Sequence, residues 1–89
     1  MPIRDNPDQH RYELDVEGQT AFAYYKLAGD TITFTHTEVP PALGGRGIGS
    51  QLAKGALDDV RTRGLGVVAR CEFMGGYIAK HAEYGDLLR

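Results

Sequence analysis

Residues 44 to 49 read GGRGIG, four glycines in six positions. This run divides the chain into two parts built on different periods. Before it, apolar side chains recur at every second residue. After it, they recur at helical spacing. A chain that changes period across a glycine-rich turn must put strands on one side of the turn and a helix directly on the other.

Upstream, Tyr12, Leu14 and Val16 alternate with Arg11, Glu13, Asp15 and Glu17, the pattern of a half-buried strand. Gly18-Gln19 marks a turn, TAFAYYKLA a second strand, and Gly29-Asp30 another turn. In TITFTHTEV the threonines alternate with Ile32, Phe34, His36 and Glu38, so the period places those four on one face. Short turns between consecutive strands predict an antiparallel meander. Residues 1–9, with Pro2, Asn6 and Pro7, read as a loose lead-in to a single domain over 10–89.

Downstream, Leu52, Ala53, Ala56, Leu57 and Val60 form one helical stripe. Arg61 and Arg63 suit the negative end of that helix, and Gly64 is a natural stop. LGVVARC is a short buried strand. FMGGYIAKHAEYGDLL is a second helix with Phe73, Tyr77 and Ile78 inward. The predicted fold is α+β in the order β-β-β-α-β-α. Its last strand returns parallel to the third through a crossover.

Composition narrows the function. The chain has 89 residues, room for one domain, and a net charge of −2 with no Lys/Arg cluster. Nucleic acid is therefore not an expected partner, because phosphate neutralisation needs a basic face. No apolar run approaches the ~18 residues of a membrane span, and the N-terminus lacks an apolar signal core. The single cysteine, Cys71, leaves no intrachain disulfide. These features predict a soluble cytoplasmic protein. No metal site is assigned.

The glycine turn abuts a good helix start, where unpaired backbone N–H groups and the helix dipole attract anions. Glycine lets that backbone approach a phosphate, and Arg46 offers a full charge. A Walker A loop needs a lysine before its last Ser/Thr, but Gly49 stands directly before Ser50. A dinucleotide fingerprint begun at Gly45 ends on Ser50 instead of glycine. The pattern Gln/Arg-x-x-Gly-x-Gly/Ala fits better, with Gly47-Ile48-Gly49 as its core.

That pattern is the pyrophosphate loop of GNAT acyltransferases. The chain resembles a small single-domain GNAT acetyltransferase through TEVPPALGGRGIG (37–49), CEF (71–73) and HAEY (81–84). It departs from the family pattern at Gly44, where Gln or Arg is usual, and at Glu72 and Ala82, where prolines are usual. The resemblance implies acetyl-CoA as cofactor. Val39, Gly44, Gly45, Arg46, Gly47, Ile48, Gly49 and Ser50 would hold its pantetheine and pyrophosphate, with Tyr77 and His81 further along it.

Three side chains qualify for chemistry, each against a plainer reading. His36 is a general base or a hydrogen-bonded core histidine. Glu38 orients His36, takes the proton itself, or is an exposed strand-end carboxylate. Cys71 is an inert buried thiol or a nucleophile that carries the acetyl group. The resemblance favours a cysteine and a histidine in the active site. It also casts Tyr77 as donor to the departing thiolate, whereas Phe73 and Tyr77 at i, i+4 read equally as a packing pair. The tight hairpin over 11–25 replaces the helices that wall the acceptor in larger relatives. The expected function is N-acetylation of a small-molecule or protein amine. The open acceptor side is left for a protein partner or a second copy to cover. The alternative is a CoA-binding module without catalysis.

Overall fold

The computed structural model describes residues 3–89. Five strands, β1 (Ile3–Asn6), β2 (Arg11–Val16), β3 (Gln19–Ala28), β4 (Thr31–Glu38) and β5 (Gly66–Ala69), lie side by side in sequence order. The first four are antiparallel, and β5 is parallel to β4. Helix α1 (Ile48–Thr62) makes the crossover, and α2 (Glu72–Lys80) follows β5.

The expected order gains a strand. Ile3–Asn6 pairs with Arg11–Leu14, so the segment read as a loose lead-in is an edge strand ending in a 3-10 turn at Pro7–Gln9. Met1 and Pro2 of that reading lie outside the described residues. Prolines at 2 and 7 hid the strand, although edge positions tolerate such flanks. The second helix is also shorter than its periodicity implied. It stops at Lys80, and Ala82–Leu87 continues as 3-10 turns. Its buried residues are Met74 and Ile78, whereas Phe73 is 41% exposed, so Phe73 is not part of the inner stripe.

The β2–β3 connection is Glu17-Gly18, both at positive φ, the geometry that matches the twist of a two-residue hairpin. One sheet face carries the core. Tyr12, Leu14, Ala21, Ala23, Tyr25, Ile32, Phe34 and Val67 are all buried, and the α1 stripe packs with them in one cluster. The two buried alanines of β3 leave room for the helix to lie close. Polar ties lock its C-terminal half: Tyr12 Oη donates to Asp59 (2.6 Å) and accepts from Arg63 (3.0 Å). Arg63 also reaches Asp5 of β1 at 3.1 Å.

On the opposite face, Glu13 is only 3% exposed. Burial raises its pKa, but hydrogen bonds from Arg11, Asn6 and Arg4 outweigh that and hold it below the ordinary carboxylate value. A carboxylate with a depressed folded-state pKa stabilises above its unfolded value and loses that contribution as pH falls through the folded one. Stability should therefore fall from near pH 4.5 downward. Glu13→Gln should flatten this acid limb in urea unfolding at stepped pH; an unchanged limb contradicts the assignment. The docking of β1 has its own test. A Cβ on Gly55 of α1 would sit 2.8 Å from Ile3 Cγ2. In a free helix Gly55→Ala would help by about 1 kcal/mol. Here it should displace Ile3 and speed amide exchange across Arg4–Asn6 while β2–β4 stay protected. Unchanged exchange at β1 would contradict its contact with α1.

Candidate active site

The site begins with an irregularity in β4. Phe34 pairs with Tyr25, but His36 pairs with the next residue, Tyr24. Thr35 is therefore an extra residue, a bulge that reverses the alternation beyond it. Tyr25 points into the core and Tyr24 away from it, so Phe34 and His36 lie on opposite faces. This corrects the expectation that Ile32, Phe34, His36 and Glu38 share one face. Ile32 and Phe34 are buried, and His36 and Glu38 are exposed. His36 stacks on Tyr24 with ring centroids 6.1 Å apart, and Glu38 stands opposite Phe22. Thr37, opposite the buried Ala23, is turned inward in their place.

The same stretch loses its other neighbour. Pairing between β4 and β5 ends at Phe34 and Ala69. The N–H groups of Arg70 and Cys71 both donate to the carbonyl of Phe34, at 3.0 and 3.1 Å. The chain then turns into α2, while β4 runs on to Glu38. A wedge opens between the strands. Across it, Thr37 Oγ1 and Cys71 Sγ lie 3.2 Å apart. Cys71 is buried and occupies the N-cap of α2, though its side chain makes no cap bond. Thus the structure joins Cys71 to Thr37, and the imidazole of His36 points away on the far face. The two candidates for chemistry, Cys71 and His36, are therefore not brought together.

Beyond the wedge, Pro40-Pro41 ends the ladder, since proline has no N–H to donate. Leu43 is buried and anchors the loop. Gly45 and Gly47 then adopt φ of +76° and +71°, left-handed values that cost a β-carbon roughly 1–2 kcal/mol. Gly47 caps α1, and its carbonyl accepts from Gln51 N–H at 3.1 Å. The N–H groups of Ile48, Gly49 and Ser50 precede that first helical bond. A glycine cap offers no side-chain oxygen to satisfy them.

Two shallow clefts meet at this helix start. One, of about 250 Å³, runs from Val39 over the glycines to Ser50 and Phe73. The other, of about 260 Å³, lies between Ser50, Phe73, Tyr77, Lys80 and His81. Phe73 joins them, because its ring lies against Gly49; a Cβ there would come within 2.6 Å of it. Tyr77 stacks on His81 at 4.1 Å, and burial raises its pKa. Tyr77 therefore pairs with His81 rather than forming a core pair with Phe73. Arg46 is the exception among the loop residues. Its guanidinium pairs with Glu17 of the β2–β3 turn instead of facing the cradle. Both partners are well exposed, and such pairs are worth about 0–1 kcal/mol.

Sequence reasoning missed two residues here, Thr37 and Phe73. Nothing in TFTHT marks a bulge, so the alternation hid Thr37. Phe73 carried a signal, since it directly follows the Cys71 segment, but its helical spacing to Tyr77 read as packing.

The chain is similar to known proteins in sequence and in fold. The family profile described as GCN5-related N-acetyl-transferase matches residues 11–87. The chain is 35% identical to mouse Protein NATD1 over 85 residues, covering 90% of this chain and 77% of that protein. The human Protein NATD1 is also 35% identical, with 90% and 75% covered. The solution structure of a GCN5-like protein from Staphylococcus aureus superposes with a TM-score of 0.74 at 26% identity, over 99% of this chain and 87% of that one. On these matches the chain belongs to the GCN5-related N-acetyltransferase family and is an acyltransferase.

Proposed function

We propose that the protein transfers an acetyl group from acetyl-CoA to a primary amine. The observation that carries this reading is the open edge of β4, beyond Phe34, leading straight into the unsatisfied N–H groups of Ile48, Gly49 and Ser50. An extended amide-bearing arm with a diphosphate at its end fits that sequence of groups. Val39 and the parted edge of β4 would hold the arm. Gly44, Gly45, Gly47 and the first turn of α1 would hold the phosphates. The second cleft, with the stacked Tyr77 and His81, would take the remainder. The bound group supplies an acyl thioester, whose carbonyl carbon is open to attack by nitrogen.

The chain's own residues have three tasks. The cradle orients the acyl donor, converting attack into a positioned event. Glu38 and His36, on the exposed face at the end of β4, accept the proton that the amine must lose before its lone pair is available. Tyr77 keeps its proton because burial raises its pKa, so it is a fit donor to the departing thiolate.

A second route is favoured by one specific contact, that of Cys71 Sγ with Thr37 Oγ1 in the wedge. There, the Cys71 thiolate attacks the thioester carbonyl, a new S–C bond forms, and the original one breaks to release CoA thiolate. The amine then attacks the acetyl-cysteine, and the Cys71 sulfur leaves.

The cofactor assignment is tested by calorimetry. Gly47→Val places a branched side chain at a φ of +71°, and Gly49→Ala drives a methyl into the Phe73 ring. Each should weaken acetyl-CoA binding about tenfold or more, roughly 1.4 kcal/mol, in protein whose circular dichroism stays native. Undiminished binding by both folded variants would sink the assignment. The route is tested by intact mass. Protein incubated with acetyl-CoA alone should gain no acetyl group if transfer is direct, and Cys71→Ser should keep full turnover. A single acetyl on Cys71, together with loss of turnover in Cys71→Ser, would establish the covalent route instead.

A further inference from the structure

The sheet face that carries His36 and Glu38 also holds a small cleft, of about 250 Å³, lined by Thr20, Phe22, Glu38, Val39, Pro40 and Pro41. We propose that this cleft is the acceptor subsite and that it takes an alkylammonium, the charged end of a linear diamine or of a lysine side chain. The proposal rests on the acetyl-transfer reading above and adds to it the chemical class of the acceptor.

Charge is the first argument. Three arginines on or beside this face are already engaged by other carboxylates. Arg11 pairs with Glu13, Arg4 with Glu13 and Asp15, and Arg46 with Glu17. Among the described residues, Glu38 is left without a cation, and no basic side chain lines the cleft. A carboxylate at the rim of a partly apolar cleft selects a cation and rejects an anion.

The aromatic floor is the second argument. Glu38 stands directly opposite Phe22 on the neighbouring strand. Phe22 already accepts a cation: the Arg11 guanidinium carbon lies 4.0 Å from its ring centroid. Arg11 comes from β2, on one flank of β3, and Glu38 from β4, on the other. A second cation beside Phe22 and Glu38 would reproduce on the β4 flank what Arg11 and Glu13 form on the β2 flank. Attraction to the ring and to the carboxylate would act together.

Shape is the third. The cleft falls below the roughly 300 Å³ at which drug-sized pockets begin, and Val39, Pro40 and Pro41 give it an apolar wall. That space suits methylenes in a row, with the ammonium at the carboxylate. The cleft also adjoins the parted stretch of β4, since Glu38 belongs to both and Val39 follows it directly. An amine held by Glu38 therefore sits where β4 leaves its partner, on the face opposite Cys71 and Thr37.

The test uses the intact protein and amide chemical shifts. 1,5-Diaminopentane and Nα-acetyl-lysine N-methylamide are titrated separately, with pentane-1,5-diol as the uncharged match. Saturable shifts at Thr20, Phe22, Glu38 and Val39 are expected with an amine and not with the diol. Whichever amine binds more tightly assigns the source as free diamine or lysine side chain. Glu38→Gln should weaken the amine about tenfold, and Phe22→Leu should weaken it while leaving the carboxylate in place. Shifts that are absent, centred elsewhere, equal for the diol, or unchanged in both variants would overturn the proposal. Acetyl-CoA is titrated into the same samples. Amine binding without acetyl-CoA binding would keep the subsite and remove the transfer reading. Acetyl-CoA binding without amine binding would do the reverse.

Discussion

The carbonyl of Phe34 accepts hydrogen bonds from two successive N–H groups, those of Arg70 and Cys71. A parallel ladder would have spent those donors on different acceptors. By taking both, Phe34 ends the pairing of β4 with β5 and releases the last part of β4 as an unpaired edge. Buried backbone groups are rarely left without partners, so an open edge inside a compact sheet is a place where a ligand's amides can substitute for a missing strand. The bulge at Thr35 lies at the same point. It turns Thr37 toward Cys71 and sends His36 and Glu38 to the other face. One short irregularity thus separates a thiol side from a carboxylate side.

The rest of the chain holds that irregularity in place. Phe34 is fully buried, between the aromatic rings of Tyr12 and Tyr25 and the α1 stripe. Its carbonyl cannot shift without disturbing the centre of the core. The ties from Tyr12 to Asp59 and from Arg63 to Asp5 fix α1 at its far end. Its N-terminal end, carrying Ile48, Gly49 and Ser50, is left to face the clefts. A small domain buries a limited fraction of its surface and has little stability to spare. Here the buried core is concentrated around β2, β3, β4 and α1, away from the glycine loop.

The sequence stated the glycine turn before α1 plainly, because glycine is read by its backbone requirement. Gly45 and Gly47 do take positive φ, and the helix does begin directly after them. The meander and the crossover were equally legible, since period-two alternation and a helical stripe are local properties of the chain. The edge strand at Ile3–Asn6 was not. It has too few residues to show a period, and its strand character comes from pairing with β2. Arg46 was read as a phosphate ligand on its charge and position. Its pairing with Glu17 depends on the hairpin of β2 and β3 folding beside the loop, which no local pattern records.

What the sequence determined alone was therefore the meander of β2, β3 and β4, the crossover through α1 to β5, the glycine-capped helix start and the family. Each depends on residues close together in the chain. What only the tertiary structure decided was which side chains meet. Strict alternation put His36 on the face of Ile32 and Phe34. An inserted residue at Thr35 changed that face, and a bulge has no compositional signature when any threonine of a threonine-rich strand can occupy it. The pairing of Thr37 with Cys71, the contact of Phe73 with Gly49 and the isolation of Glu38 beside Phe22 all join residues distant in sequence. Such contacts follow from strand register and helix docking, which are set by the packing of the whole core and not by the segments that carry the side chains.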